Sequence, residues 1–221
     1  MALNIVIEDI VTCALSSDSR KLFAVIGVPA SGKTTVATLL TKLANERIRH
    51  MAETDPEIAK LCVSGDLVQL IPMDGFHLTR ETLRNRQPVY PSDYCRESND
   101  PQDPNLYFID GCYRPWPSDV ETCFARRGAH WTFDADSFAK TLQKIRTAGP
   151  NDPPILVPGW DHATKDPDWD AISVSNSARV VIVEGLYCLL DIVPWNKATE
   201  CIDRAILVEC DETEVRLGNA R

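Results

Sequence analysis

Apolar residues along this chain fall into short continuous runs separated by longer stretches in which they recur every three or four positions. Leu3, Val6, Ile7, Ile10, Val11, Ala14 and Leu15 keep the spacing that lays one stripe along a helix, and Ser16-Ser17-Asp18-Ser19 ends it. Residues 22–26 (LFAVI) are continuously apolar, the pattern of a strand buried on both faces. A glycine-bounded loop follows, then a helix from Thr35 to about His50 with Val36, Leu39, Leu40 and Leu43 turned inward. Residues 51–66 read as a polar connection. Residues 67–71 (LVQLI) make a second strand, closed by Pro72, and Thr79 to Arg84 fits a short helix. Phe138, Ala139, Leu142 and Ile145 mark a helix over Asp136 to Thr147, and residues 155–157, 180–183 and 205–208 are three more strands of the buried type. No internal repeat is visible. Apolar strands alternating with amphipathic helices predict an α/β fold around a mostly parallel sheet.

One stretch breaks this rhythm. Residues 87–118 have neither period, yet hold four of the five tyrosines and six of the fifteen prolines, so they read as a long loop or an insert. The whole chain, 221 residues with 44% hydrophobic and 25% charged, is expected to be one folded domain. Its net charge of −9 argues against a general nucleic-acid binder or a basic membrane-surface protein. The eight cysteines form no CxxC pair and no close Cys/His cluster, which favours free thiols in a reducing compartment over a zinc site. Nothing approaches the ~18 apolar residues of a membrane span. The first nineteen residues lack Lys and Arg, and Glu8-Asp9 interrupts their apolar pattern, unlike a secretory signal or an Arg-rich presequence. A soluble cytoplasmic protein is the default expectation.

Chemistry enters at Gly27-Val28-Pro29-Ala30-Ser31-Gly32-Lys33-Thr34, which satisfies GxxxxGK[ST] between a strand and a helix. Glycines let successive backbone N–H groups turn toward phosphate oxygens, and the helix N-terminus adds its positive end. Gly27, Ala30, Ser31, Gly32, Lys33, Thr34 and Thr35 are the candidate nucleotide-binding residues, with Lys33 on the β/γ-phosphates and the Thr34 hydroxyl on Mg²⁺. A chance match arises about once per hundred chains of this length, and the strand–loop–helix context lowers that further. The motif marks a nucleoside triphosphate site without saying what becomes of the γ-phosphate.

Other elements narrow the choice. Asn196-Lys197-Ala198-Thr199 lacks the Asp of a guanine-reading motif. Asp74 follows the second strand, where ligands bind in an open α/β sheet, and could take a proton from an attacking hydroxyl. Asp-Gly is equally common turn chemistry, and spacing alone does not separate the two. Glu184 closes the run RVVIV in the manner of an acid that ligates Mg²⁺ directly or through water.

In this order, GVPASGKTT, IPMDGFHLTR, ARRGAHWTFD, ILVPGWDHATKDP and VVIVEGLYCLLD resemble the phosphoribulokinase/uridine kinase family of P-loop kinases, in particular its fungal branch, which includes a yeast kinase-like ATPase. The resemblance implies a three-layer P-loop fold with a five-stranded, mostly parallel sheet, ATP and Mg²⁺, and a small hydroxylated metabolite as acceptor. It makes Asp74 the general base, Lys33 the phosphate clamp, and Thr34 and Glu184 the metal ligands. His77 and Arg80 would face the acceptor, Arg126 and Arg127 would hold an anionic group on it, and Trp160, Asp161 and His162 would line its side. The activity implied is a phosphotransferase with an alcohol acceptor, like uridine or pantothenate kinases. An ATPase or nucleotide-binding regulatory protein, or a truncated inactive relative, are the alternatives. Two departures stand out. Residues 87–118 lengthen a connection that is short in the family and would lie beside the acceptor pocket. The chain also stops at Arg221, where residues 211–221 would begin a helix leading to a basic lid. Without that lid, nucleotide binding is expected to exceed turnover.

Overall fold

The computed structural model describes residues 2–16, 19–85, 106–109, 112–115, 120–149 and 151–210. Its centre is a parallel sheet of β1 (Lys21–Ile26), β2 (Val68–Pro72), β7 (Val180–Glu184) and β8 (Arg204–Leu207), in the order β2-β7-β1-β8. Strand β7 is buried along its whole length, as its unbroken VVIV run requires.

Side chains alternate between the faces of this sheet. Phe23, Val25, Val68, Val180 and Ile182 pack under α1 (Ala2–Ser16) and α2 (Lys33–Ala52), against Ile10, Ala37, Leu40, Ala44 and Ile48. Leu22, Ala24, Ile71, Val181 and Val183 face the other way. There they meet α6 (Ala135–Thr147) through Phe138, Leu142 and Ile145, and a hairpin of β5 (Ile155–Asp161) and β6 (Asp166–Val174). Each fully buried side chain of α6 is worth about 1.5–3 kcal/mol. Asp134 caps α6, its Oδ1 accepting the Ser137 N–H at 2.9 Å. The architecture is three-layer α/β/α. Among the described residues no helix is long and apolar enough to cross a membrane.

Several expectations change. Residues 155–157 are not in the parallel sheet: β5 pairs antiparallel with β6, so the described sheet has four strands rather than five. Leu156 is 52% exposed between buried Ile155 and Val157, which makes β5 a one-sided hairpin strand that an apolar run of three cannot announce. Leu39 is on the outer side of α2. The connection at 51–66 contains α3 (Pro56–Leu61), capped by Asp55 with proline in its first turn. Inside the aperiodic stretch, β3 (Leu106–Ile109) pairs antiparallel with β4 (Cys112–Pro115). The remaining elements are α4 (Arg80–Asn85), α5 (Val120–Ala125) and α7 (Asn196–Thr199). The rest of 87–118, apart from that hairpin, lies outside the described residues, as does the helix expected over 211–221.

Candidate active site

The carboxyl ends of β1, β2 and β7 converge, and each carries a polar loop. After β1, Ala30 and Gly32 take left-handed φ values of 61° and 83°, with Gly32 as the N-cap of α2. Alternating backbone hands of this kind turn consecutive N–H groups to one side, and glycine bears the conformation without cost. A side chain at Gly27 would come within 2.5 Å of the Val208 carbonyl and 2.7 Å of Ser31 Oγ, so the loop sits tightly against the end of β8. The first turn of α2 contributes no acidic residue of its own to compete with an anion for the helix's positive end. Lys33 Nζ donates to the Val28 carbonyl at 2.9 Å, folded over its own loop. The Ser31 hydroxyl is buried with no hydrogen-bond partner among the described residues. A glycine cradle, an orphaned hydroxyl and a lysine resting on a carbonyl fit a phosphate chain.

Glu184 ends β7 in register with Val25 on one side and Pro72 on the other, which puts its carboxylate between the phosphate loop and the loop after β2. Thr34 Oγ1 donates to Glu184 Oε2 at 3.2 Å. Glu184 is 7% exposed. Burial raises its pKa above the ordinary carboxylate range and the Asp74 charge adds to this, while Lys33 and the Thr34 hydroxyl oppose it. Thr34 and Glu184 thus make a hydroxyl–carboxylate pair suited to Mg²⁺, which keeps most of its shell as water and phosphate oxygen. Among the described residues, no group of three or more His, Cys, Asp or Glu could hold a metal alone.

Asp74 is exposed in a single 3₁₀ turn (Met73–Phe76) that begins where β2 stops. Gly75 is required here by close approach: a Cβ would land on the Pro158 carbonyl of β5. Gly75→Ala is therefore expected to destabilise the fold by about 1–3 kcal/mol, read as a lower urea midpoint at unchanged slope. A variant as stable as its parent would mean that turn and hairpin do not touch.

The predicted acceptor residues separate into two groups. His77 and Trp160 meet, with ring centroids 4.4 Å apart, and Phe133 also lies against His77, at 3.8 Å. Arg80 lies at the start of α4, with its guanidinium 5.4 Å from the Phe124 ring centre, and Arg126 is exposed. Arg127 departs from expectation. It donates to the Leu78 carbonyl at 2.7 Å, to Asp166 Oδ1 at 2.9 Å and to the Lys165 carbonyl, and lies 5.0 Å over Trp160. With these NH groups engaged inside the protein it ties segments together, while its buried Nε has no hydrogen-bond partner among the described residues. Asp161 likewise holds the β5–β6 turn, accepting the Ala163 N–H and the Thr164 hydroxyl, each at 2.8 Å, and the Thr164 bond leads the causes that lower its pKa. His162 is exposed in that turn.

Sequence reasoning missed Phe133, Asp166, Tyr187 and His130. Phe133 pairs with His77 in an isolated bridge, and the Tyr187 hydroxyl donates to the Gly128 carbonyl at 2.7 Å. His130 packs on the Tyr187 ring, its pKa lowered to about 4 by burial. An alternation of aromatics with RRG and TFD was the available signal. It reads as structural support: buried Thr132 accepts the Gly128 N–H at 3.0 Å, and its carbonyl accepts the Leu78 N–H at 2.8 Å.

No protein-family model matches the chain. It is 31% identical over 189 residues to a Schizosaccharomyces pombe protein named as a candidate uridine kinase, covering 86% of this chain and 60% of that one. It is 35% identical over 134 residues to the ATP-dependent kinase YFH7 of Zygosaccharomyces rouxii, covering 61% of this chain and 33% of the relative. The chain therefore spans between a third and three fifths of these relatives. In structure it is similar to a Silicibacter protein named as a candidate fructose transport system kinase, with TM-score 0.64, 23% identity, and coverage of 99% of this chain and 79% of that one. It is equally similar, at TM-score 0.64 and 20% identity over 90% of this chain and 78% of the other, to YFH7 of Saccharomyces cerevisiae, described as a candidate P-loop-containing kinase with a circular permutation. These structures share the fold.

Proposed function

We propose that this chain, a homologue of those fungal kinase-like proteins on a P-loop kinase fold, is an ATP-dependent kinase core that transfers the γ-phosphate to a hydroxyl of a small metabolite, as uridine and pantothenate kinases do. The observation that carries this reading is Asp74. Thr34, Lys33 and Glu184 suffice for holding a nucleotide and its metal, whereas a second, exposed carboxylate in the turn that follows the neighbouring strand β2 is what an acceptor hydroxyl requires.

The phosphate loop binds and orients the donor through its backbone N–H groups, and Lys33 leaves the Val28 carbonyl to follow the phosphates. Bound Mg²⁺, held by Thr34 and Glu184, would supply charge neutralisation at the β- and γ-phosphates. Asp74 accepts the acceptor's hydroxyl proton on its carboxylate as that oxygen bonds to the γ-phosphorus of ATP, whose bond to the β-phosphate oxygen breaks to release ADP. His77, Phe133 and Trp160 wall the turn that carries Asp74. No protein cation is spared to grip the acceptor at Arg127, so Arg80 and Arg126 are the arginines to serve an anionic acceptor group.

A panel of hydroxylated metabolites incubated with the chain, Mg²⁺ and γ-labelled ATP tests this. Label in one metabolite, dependent on Lys33, supports the kinase reading. Label released only as inorganic phosphate, at a rate no metabolite alters, overturns it in favour of an ATPase.

A further inference from the structure

Arg127 is half of a clamp that the proposed chemistry does not use. Its side chain is 12% exposed and bonded to Asp166, whose Oδ1 also accepts the Arg80 N–H at 2.8 Å and so caps α4. From there a stack runs inward: the Arg127 guanidinium over Trp160, Trp160 against His77, and His77 against Phe133. His77 ends on the Asp74 turn. Its Nδ1 is 2.8 Å from the Asp74 carbonyl oxygen, which also accepts the His77 backbone N–H at 3.2 Å. A carbonyl oxygen only accepts, so Nδ1 carries the proton, and in a neutral ring Nε2 is left as the acceptor.

We propose that Arg127, held by Asp166, is a positioning residue that fixes His77 through Trp160 as the Nδ1–H tautomer bound to the Asp74 carbonyl, and thereby sets the pose of the Asp74 carboxylate. The link from pose to catalysis rests on the reading of Asp74 as the base; the link from Arg127 to His77 does not. Groups facing His77 from each packed element are Asp74 on the 3₁₀ turn, Arg127 before the 130–132 turn, and the uncharged rings of Phe133 and Trp160. Burial and Arg127 disfavour the charged ring, and the bond to the Asp74 carbonyl and the Asp74 charge favour it, with the balance toward the neutral form.

Long-range ¹H–¹⁵N spectra of the four histidines in the full chain, assigned by single His→Gln variants, read the tautomer directly. The wild-type ring of His77 is expected to show protonated Nδ1 and bare Nε2 at neutral pH. An Nε2–H ring in the wild type overturns the proposal without any Arg127 variant. In Arg127→Met the ring is expected to populate both tautomers and to protonate at higher pH, and Arg127→Lys is expected to restore part of the wild-type pattern. An unchanged His77 signal in folded Arg127→Met shows a fold staple only and sinks the idea. With the acceptor found by the metabolite panel, Arg127→Met should lower kcat about tenfold or more at unchanged KM for ATP. If Asp74→Asn transfers at the wild-type rate while His77 still answers to Arg127, the base reading fails and the clamp on His77 stands.

Discussion

Asp74→Asn is expected to leave ATP·Mg²⁺ affinity within about twofold of wild type while lowering transfer to the acceptor by about 10²- to 10⁴-fold. The two halves follow from different parts of the structure. On the proposed reading donor binding resides in Gly27 to Thr34, whose backbone hands and helix N-terminus do not depend on Asp74. The turn that carries Asp74 is tied through its main chain: the Asp74 carbonyl accepts from His77, and Gly75 packs against Pro158. Replacing one carboxylate oxygen by an amide nitrogen keeps the volume and those ties but removes the proposed proton acceptor. Nucleotide titration by fluorescence and transfer from γ-labelled ATP read the halves separately. Wild-type transfer by the variant would remove Asp74 from the chemistry, and lost ATP binding would make it part of the donor site.

The sequence shows the donor half more fully than the acceptor half, for a physical reason. A phosphate loop recognises through backbone, so its requirements are strict local ones: glycine where a positive φ or close contact demands it, then Lys and Thr at fixed offsets. Gly32 meets that demand and could be read without neighbours. Buried strands such as VVIVE advertise themselves by continuous apolarity. The acceptor side is assembled from distant pieces. Asp166 meets Arg127 across 39 positions, and Tyr187 reaches Gly128 across 59. No local pattern records such pairings, so Arg127 looks like a free anion receptor until the hairpin turn is seen to engage it. Strand β6, DPDWDAISV, is acidic and half exposed, and only its pairing with β5 reveals it. The same pairing explains why the described residues give four parallel strands rather than five: Ile155 and Val157 satisfy a one-sided hairpin as readily as a central ladder.

The second large effect is at Glu184, where function and stability are expected to part. Its carboxylate is buried beside the Asp74 charge and receives a hydrogen bond from Thr34, and its pKa is raised, burial being the main cause. A carboxyl whose folded pKa exceeds its unfolded value stabilises the fold most below the unfolded value, near pH 4, and that contribution is lost as pH rises through the folded value. Above that folded value the protein without nucleotide carries the cost of a buried charge. Glu184→Gln keeps the shape and still offers Thr34 an oxygen, so it is expected to be more stable than wild type at pH 7 to 8, by about 1 kcal/mol or about 2–4 °C in Tm. The gap should close as pH falls toward 4. The same variant should lose most of the rise in ATP affinity that Mg²⁺ gives the wild type, a loss that EDTA reproduces in the wild type and barely extends in the variant. A lower Tm for Glu184→Gln at pH 8 would show that the carboxylate is stabilised where it stands. An undiminished response to Mg²⁺ would take Glu184 out of the metal site. Both expected results together would mark Glu184 as a charge the fold retains against its own stability, at the position where the donor's metal would sit.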